Sequence, residues 1–329
     1  MFDRRQAATG EPSCPPGCAY NPPALAPARR IRRRLGRLPI VLLIAVGVLA
    51  VWTGPAFASA LGPESGGSPQ ADDINTLYWL VMVVAVVVFV GVEGALLYSL
   101  FKFKARRGAV AAQIRGNTRL EIGWTVGAAV ILVVLAVITF IMLPGIRNPP
   151  NSGPEGFQLA DQTLIAAGPA KRLPPNGRSL NVCVNGQQYM WRFTYAQNCN
   201  NAPLDSVFSY EEMVVPTDTT VTLDITAQDV AHSWWIPKLG GKMDAVPGYT
   251  NHNWFKVPGD AIPEGESSVR FRGQCAELCG RNHADMIAHV RAIRPDAFEA
   301  WLDQKRNAIR GANGAAQQQR RQVDAGRNP

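Results

Sequence analysis

The side chains with the most chemistry to offer lie together in the run Cys275-Ala276-Glu277-Leu278-Cys279-Gly280-Arg281-Asn282-His283-Ala284-Asp285-Met286. Two thiols, an imidazole and a thioether fall within 12 residues, and His232 stands 43 residues upstream. Sulfur donors select copper, Cu(I) above all, whereas magnesium and calcium take oxygen. Plainer readings of the same residues exist. The C-x3-C spacing alone is weak, because Cys14 and Cys18 repeat it in a Pro-rich stretch. A disulfide between Cys275 and Cys279 suits an oxidising compartment, and zinc accepts Cys and His in tetrahedral sites. Met is a poor zinc donor, and a disulfide needs neither His232, His283 nor Met286, so the complete set favours copper. A single type-1 copper uses one thiolate. Two thiolates could bridge two copper ions, with His232 and His283 as terminal donors and Met286 as a weaker one. A bridged pair shares its charge, so one added electron alters each bond little, which suits fast electron transfer.

The donors need a frame, and the surrounding pattern predicts strands. Val269 and Phe271 alternate with Arg270 and Arg272 just before Cys275, and Ala288, Val290 and Ala292 alternate after Met286. Val221, Leu223, Ile225 and Ala227 alternate with polar residues and lead towards His232. Leu180, Val182 and Val184 are followed by Asn185-Gly186, a strong hairpin signal, and then by Tyr189, Trp191, Phe193 and Tyr195. A two-residue turn at Asn185-Gly186 would set Val184 opposite Gln187 and Val182 opposite Tyr189. Several short strands between turn-rich loops predict a small all-β sandwich or barrel over 144–302. Residues 296–306 read as a short terminal helix, and 303–329 as a disordered, solvated tail.

Upstream, the chain belongs in a different solvent. Two apolar segments, about Leu77 to Phe101 and Ile122 to Leu143, are long enough to cross a bilayer, giving a two-helix transmembrane hairpin over 77–143. Lys102, Lys104, Arg106, Arg107, Arg115 and Arg119 lie between them with no acid before Glu121, so this loop is cytoplasmic and everything after Leu143 is outside. Glu93, inside the first span, reads as a neutral carboxyl bonded against a partner helix. Glu121 opens the second span, where a helix-start acid complements the macrodipole. The run Pro39 to Trp52 is too short to span; it follows six Arg and precedes Ala56-Phe57-Ala58, which reads as a secretory signal within a 1–58 leader. A retained third membrane helix is the alternative.

The net charge of +8 does not point to nucleic acid, because the positive charge flanks the apolar stretches. Residues 144–302 hold 13 basic and 16 acidic side chains, so the outer domain is slightly acidic. Cys183 and Cys199 face the oxidising side and can pair there. His252 and His289 read as ordinary surface or strand histidines. No C-x-x-C-H occurs, so no c-type haem is fused to the chain.

With these motifs, residues 75–302 resemble the copper-A-containing subunit 2 family of haem-copper cytochrome c oxidases. The resemblance implies a cupredoxin-like Greek-key barrel outside a bacterial plasma membrane. It implies that Cys275 and Cys279 bridge two coppers, that His232 and His283 each bind one, and that Met286 and the Glu277 carbonyl complete them. The Glu277 side chain would help hold a magnesium ion shared with subunit 1. Partners implied are subunit 1, which holds haem and copper-B, subunit 3, and cytochrome c as electron donor. Glu121-Ile122-Gly123-Trp124 matches the acid at the entrance of a proton channel, which would make Glu121 a proton-uptake group. Asp229 matches an acid near the cytochrome c docking surface. One departure stands out: the family carries two Trp separated by one residue, the first accepting electrons, and here Tyr189 occupies the first place and Trp191 the second. The hairpin alternation makes Tyr189 equally a core residue.

Other classes remain in view. A related nitric oxide reductase can carry the same copper subunit, whereas quinol oxidases of this family lack the ligands. A membrane-anchored copper chaperone or thiol-disulfide protein can use C-x3-C and a distant His, but goes with one anchor and alternating strands and helices. A purely structural cupredoxin-like module needs no converging soft donors.

Overall fold

A computed structural model describes residues 61–104, 110, 113–157, 173–202 and 206–325. The expected leader, 1–58, lies outside the described residues. Two long helices come first, α1 (Pro69–Lys102) and α2 (Thr118–Arg147). They pack along each other, and apolar side chains such as Val83, Phe89, Leu132 and Phe140 are exposed along their lengths. Such a surface is stable only in lipid, and each helix is long enough to cross it. The start of α2 is capped by Asn117, whose side chain accepts from the Leu120 N–H, while Glu121 Oε1 accepts from the Asn117 N–H. The sequence reading stops the second span at Leu143, before Pro144-Gly145. The helix instead continues through Pro144 to Arg147, with the Asn148 N–H bonded to the Pro144 carbonyl. A proline this near the outer end removes a single ladder bond, and water at the membrane surface can satisfy the freed carbonyl.

Ten strands follow: β1 (Leu180–Gln187), β2 (Met190–Tyr195), β3 (Phe208–Tyr210), β4 (Glu212–Pro216), β5 (Thr220–Ala227), β6 (His232–Trp235), β7 (Met243–Ala245), β8 (Asn251–Lys256), β9 (Ser268–Cys275) and β10 (Ile287–Ile293). They form two five-stranded sheets, ordered β3-β2-β1-β5-β8 and β4-β10-β9-β6-β7. The pairs β1–β5 and β4–β10 are parallel and the rest antiparallel, so the chain crosses repeatedly between layers. This is the expected cupredoxin-like Greek-key arrangement. Alternation makes the core: Leu180, Val182 and Val184 of β1 are buried and belong to one apolar cluster with Met213, Val290 and Ala292 of the other sheet. Burying each large apolar side chain contributes roughly 1.5–3 kcal/mol before entropy is counted.

The first hairpin differs from its sequence signal. Asn185 and Gly186 lie inside β1, the turn falls at Gln188 and Tyr189, and Val182 pairs with Tyr195 and Val184 with Phe193. The reason is tertiary: a Cβ on Gly186 would come within 3.0 Å of both the His232 ring and the Trp191 ring. Glycine is there for close approach rather than for a turn. Trp191, Phe193 and Tyr195 nonetheless share the buried face, as their alternation predicts. Cys183 and Cys199 form a disulfide that ties β1 to the loop after β2.

The C-terminal helix, α3 (Pro295–Ala325), docks through Phe298 and Leu302, with Phe298 edge-on to Phe157 and stacked on Trp301. It extends through the segment expected to be a disordered tail from 303. Ala, Gln and Arg dominate 312–321, and their high helix propensity continues the helix without a core to pack on. The two solvent regimes are joined at the outer ends of α1 and α2. The Gln70 amide donates to the Ile146 carbonyl and to Asn253, and the Trp254 indole donates to the same Ile146 carbonyl.

Tyr195 offers a test of the sandwich. Its buried hydroxyl donates to the Val214 carbonyl at 2.7 Å and accepts from the Val214 N–H at 2.8 Å, linking β2 to β4 across the layers. Burial raises its pKa above the ordinary tyrosine value. Tyr195→Phe leaves two buried backbone groups without partners and should cost about 1–3 kcal/mol. Equilibrium urea unfolding of the full chain measures this, as a lowered midpoint at unchanged slope.

Candidate metal centre

The donor loop is the connection between β9 and β10, and backbone pairing fixes both of its ends. Cys275, the last residue of β9, lies opposite Trp234, and its N–H donates to the Met286 carbonyl, while the Ala276 N–H donates to the Ser233 carbonyl. His232 opens β6, the neighbouring strand, so it arrives beside Cys275 from a separate part of the chain. A short helical turn at His283–Asp285 then folds the loop back, with the His283 N–H bonded to the Gly280 carbonyl.

All six donors expected from the sequence converge. Cys275 Sγ and Cys279 Sγ stand 3.9 Å apart. On the Cys275 side are His232 Nδ1 at 3.9 Å and the Glu277 carbonyl oxygen at 3.2 Å. On the Cys279 side are His283 Nδ1 at 3.6 Å and Met286 Sδ at 3.8 Å. His232, Cys275 and Cys279 have donor atoms all within 4.8 Å of one another. His232, both cysteines and Met286 are buried, His283 is half-buried, and Leu278 at the loop tip is 76% exposed. The cysteines are free thiols, their sulfurs well beyond the roughly 2 Å of a disulfide. Six donors also exceed the four of a structural zinc site. Soft sulfur at the centre with an imidazole on each side fits two copper ions better than one hard or tetrahedral ion.

The electrostatics prepare the site for a cation. Burial, and then the neighbouring Cys275, push the Cys279 thiol up to about 11, so without metal Cys279 holds its proton at neutral pH. A metal must displace that proton, which makes uptake proton-releasing and favoured by rising pH. Asp229 lies opposite: burial alone would raise its carboxyl, but hydrogen bonds from the Gln188 N–H, the His232 ring and the Val230 N–H outweigh this and hold it below the ordinary value. Its Oδ1 sits 2.9 Å from His232 Nε2. That contact makes Nε2 the protonated nitrogen and turns the Nδ1 lone pair towards Cys275.

One family profile, cytochrome c oxidase subunit II, transmembrane domain, matches residues 56–142, and a second, cytochrome c oxidase subunit II, periplasmic domain, matches residues 197–293. The cytochrome c oxidase subunit 2 of Cereibacter sphaeroides is 30% identical over 285 residues, covering 80% of this chain and 89% of that protein. The chain belongs to the cytochrome c oxidase subunit 2 family. The subunit 2 of Alkalihalophilus pseudofirmus is 31% identical over 247 residues, 74% of this chain, and the match spans 61% of that relative's length. The crystal structure of the periplasmic domain of cytochrome oxidase subunit II from Bradyrhizobium japonicum is 28% identical, covering 39% of this chain and 94% of that one, with a TM-score of 0.33.

As a member of the subunit 2 family, the chain is a plasma-membrane protein with its β domain outside and a copper-A centre implied. The remaining sequence-derived residues fall into two places. Trp191 is fully buried, its ring 5.9 Å from that of His232 and roughly edge-on. Tyr189 is half-buried at the β1–β2 turn, and its hydroxyl accepts from the Arg281 N–H inside the donor loop. Glu121 is on the membrane hairpin, exposed at the start of α2, away from the donor cluster. Glu277 is exposed, and only its carbonyl turns inward. His252, read as an ordinary histidine, bonds the buried Asp224 at 2.8 Å. Sequence reasoning missed the Asp229–His232 contact, although the three-residue spacing before a donor histidine was available as a signal. It also missed Gln188, for which no local signal exists.

Asp229→Asn tests the histidine tether. Loss of the carboxylate removes the acceptor that fixes the His232 tautomer, and metal affinity should fall about 10–100-fold with the fold intact. Competition with a Cu(I) chelator, alongside circular dichroism, measures both.

Proposed function

We propose that the chain is the electron-accepting subunit of a cytochrome c oxidase, taking electrons from cytochrome c on the outer face and delivering them towards haem in subunit 1, where oxygen is reduced to water with proton pumping. The observation that carries this is the convergence of two free thiols, two imidazoles, a thioether and a carbonyl within 3.9 Å contacts. Cys275, Cys279, His232, His283, Met286 and the Glu277 carbonyl are the groups that would hold two copper ions there. Bound there, the copper pair supplies a one-electron carrier whose charge is spread over two metals.

The protein's own part is to keep that set from rearranging. Cys275 sits on backbone pinned by strand pairing, and Cys279 on backbone held by the turn at His283. Buried Trp191 and Met286 keep bulk water off the inner side. Electrons arrive on the outer side, where Tyr189 replaces the family's first Trp and Trp191 lies behind it against His232. The exposed Glu277 carboxylate is free to face subunit 1 and to share a magnesium ion with it. Glu121, at the cytoplasmic start of α2, serves as a proton-uptake group for the complex, with subunit 3 as a further neighbour. The fold disfavours the chaperone reading: the outer domain is a β sandwich with two membrane helices before it, not alternating strands and helices on one anchor.

Metal analysis with electron paramagnetic resonance of the purified full chain is decisive. Two coppers sharing one unpaired electron are expected, and Cys279→Ser should abolish the shared signal and lower the bound copper to at most one. A wild-type chain that retains at most one copper, or only zinc, overturns the assignment.

A further inference from the structure

The β1–β2 turn reaches across the sandwich end to the donor loop and grips it at several points. Gln188 Nε2 donates to the Cys279 carbonyl at 2.6 Å. The Tyr189 hydroxyl accepts from the Arg281 N–H at 3.1 Å. The Gln188 backbone N–H donates to Asp229 Oδ2 at 2.7 Å, and the other oxygen of that carboxylate holds His232. One two-residue turn thus bonds to both stretches of chain that carry donors, 229–232 and 279–281. Gly280 shows how close the contact is: its φ is +131°, and a Cβ there would come within 2.6 Å of the Tyr189 hydroxyl and 2.9 Å of Gln188 Nε2.

This grip falls where the loop needs it. Cys275 is held by strand pairing, but Cys279 lies four residues beyond β9 and seven before Met286. The turn at Gly280–His283 and the bonds from Gln188 and Tyr189 hold the backbone around the second sulfur. From these contacts we infer that Gln188 is a positioning residue for the metal centre: it holds the Cys279 side of the loop at a set distance from the Cys275–His232 side, with Tyr189 as its second point of attachment. The inference deepens the copper reading and rests on it for its functional meaning, though not for the grip itself. Tyr189 then has a mechanical role independent of any part in accepting electrons. Gln188 is exposed and touches no donor atom directly, so its effect passes through the Cys279 backbone.

Backbone hydrogen exchange on the metal-free full chain tests the grip separately from metal chemistry. Gln188→Ala removes the side-chain donor, and Gln188→Glu keeps its length while placing an acceptor against the Cys279 carbonyl. Both should speed exchange over residues 277–284 about five-fold, with β1, β5 and β10 amides unchanged. Tyr189→Phe should speed the Arg281 amide selectively. In the copper-loaded chain, both Gln188 variants should release copper to a Cu(I) chelator faster by a similar factor, and the absorption bands of the centre should shift. Wild-type exchange in Gln188→Glu would show that side-chain bulk, not the hydrogen bond, matters, and would overturn the inference. Equal acceleration in β1 and β10 would overturn it too, by showing general destabilisation. A wild-type chain that binds no copper pair sinks the proposed function while leaving the exchange result to judge the grip alone.

Discussion

Two reduced thiols must be kept near each other, yet apart, on the oxidising side of a membrane. Most of the outer domain answers to that constraint. Cys275 and Cys279 are 3.9 Å apart, each on backbone held by hydrogen bonds from elsewhere in the chain. Cys275 ends β9 between two paired neighbours, with its N–H committed to Met286. Cys279 is held from outside its own loop by Gln188. The second cysteine pair shows the contrast: Cys183 and Cys199 join a strand to a short loop, and there they have closed into a disulfide. The two pairs of thiols thus sit in different scaffolds.

The scaffold in turn depends on the membrane hairpin. Helices α1 and α2 present exposed apolar surface with no core of their own, so lipid supplies their stability, while the sandwich buries its own apolar face. Between these regimes, the Ile146 carbonyl accepts from both Gln70 and Trp254, and Ser68 Oγ accepts from the Lys256 N–H. Strand β8 is thereby tied to the outer ends of both helices. Through β5, β1 and the β1–β2 turn, the same sheet reaches the donor loop at its far end. The site's position is set by continuous hydrogen-bonded structure, not by a flexible linker.

What the sequence made legible follows from which physics is local. The donor set could be read from residue types and spacing, because metal ligation is selective about chemistry and a loop of 12 residues can bring its own donors together. The membrane spans and most strands could be read because hydrophobic period and length are local quantities. The hairpin register could not. Asn185-Gly186 carries a turn signal, but its glycine is taken up by the approach of His232 and Trp191, which belongs to the packed structure. The helix from 303 onward was missed for the opposite reason: a polar, Ala- and Gln-rich segment lacks the periodicity that marks a packed helix, yet its intrinsic propensity is high. Gln188 was illegible as a support because hydrogen bonds to residues 41 and 91 positions away leave no pattern in the chain.

Tyr189 brings these strands of argument together. By alternation it belongs to the buried face with Trp191, and the proposed function gives it a place at electron entry. The structure gives it a third occupation, since its hydroxyl holds the Arg281 N–H two residues from Cys279. A tryptophan carries a donor but no acceptor at its ring edge, so it could not accept that N–H. Replacing Trp by Tyr therefore exchanges a larger aromatic surface for a bond into the donor loop. Trp191, two residues on, makes an edge contact with the His232 ring, so both aromatic residues touch chain that carries donors.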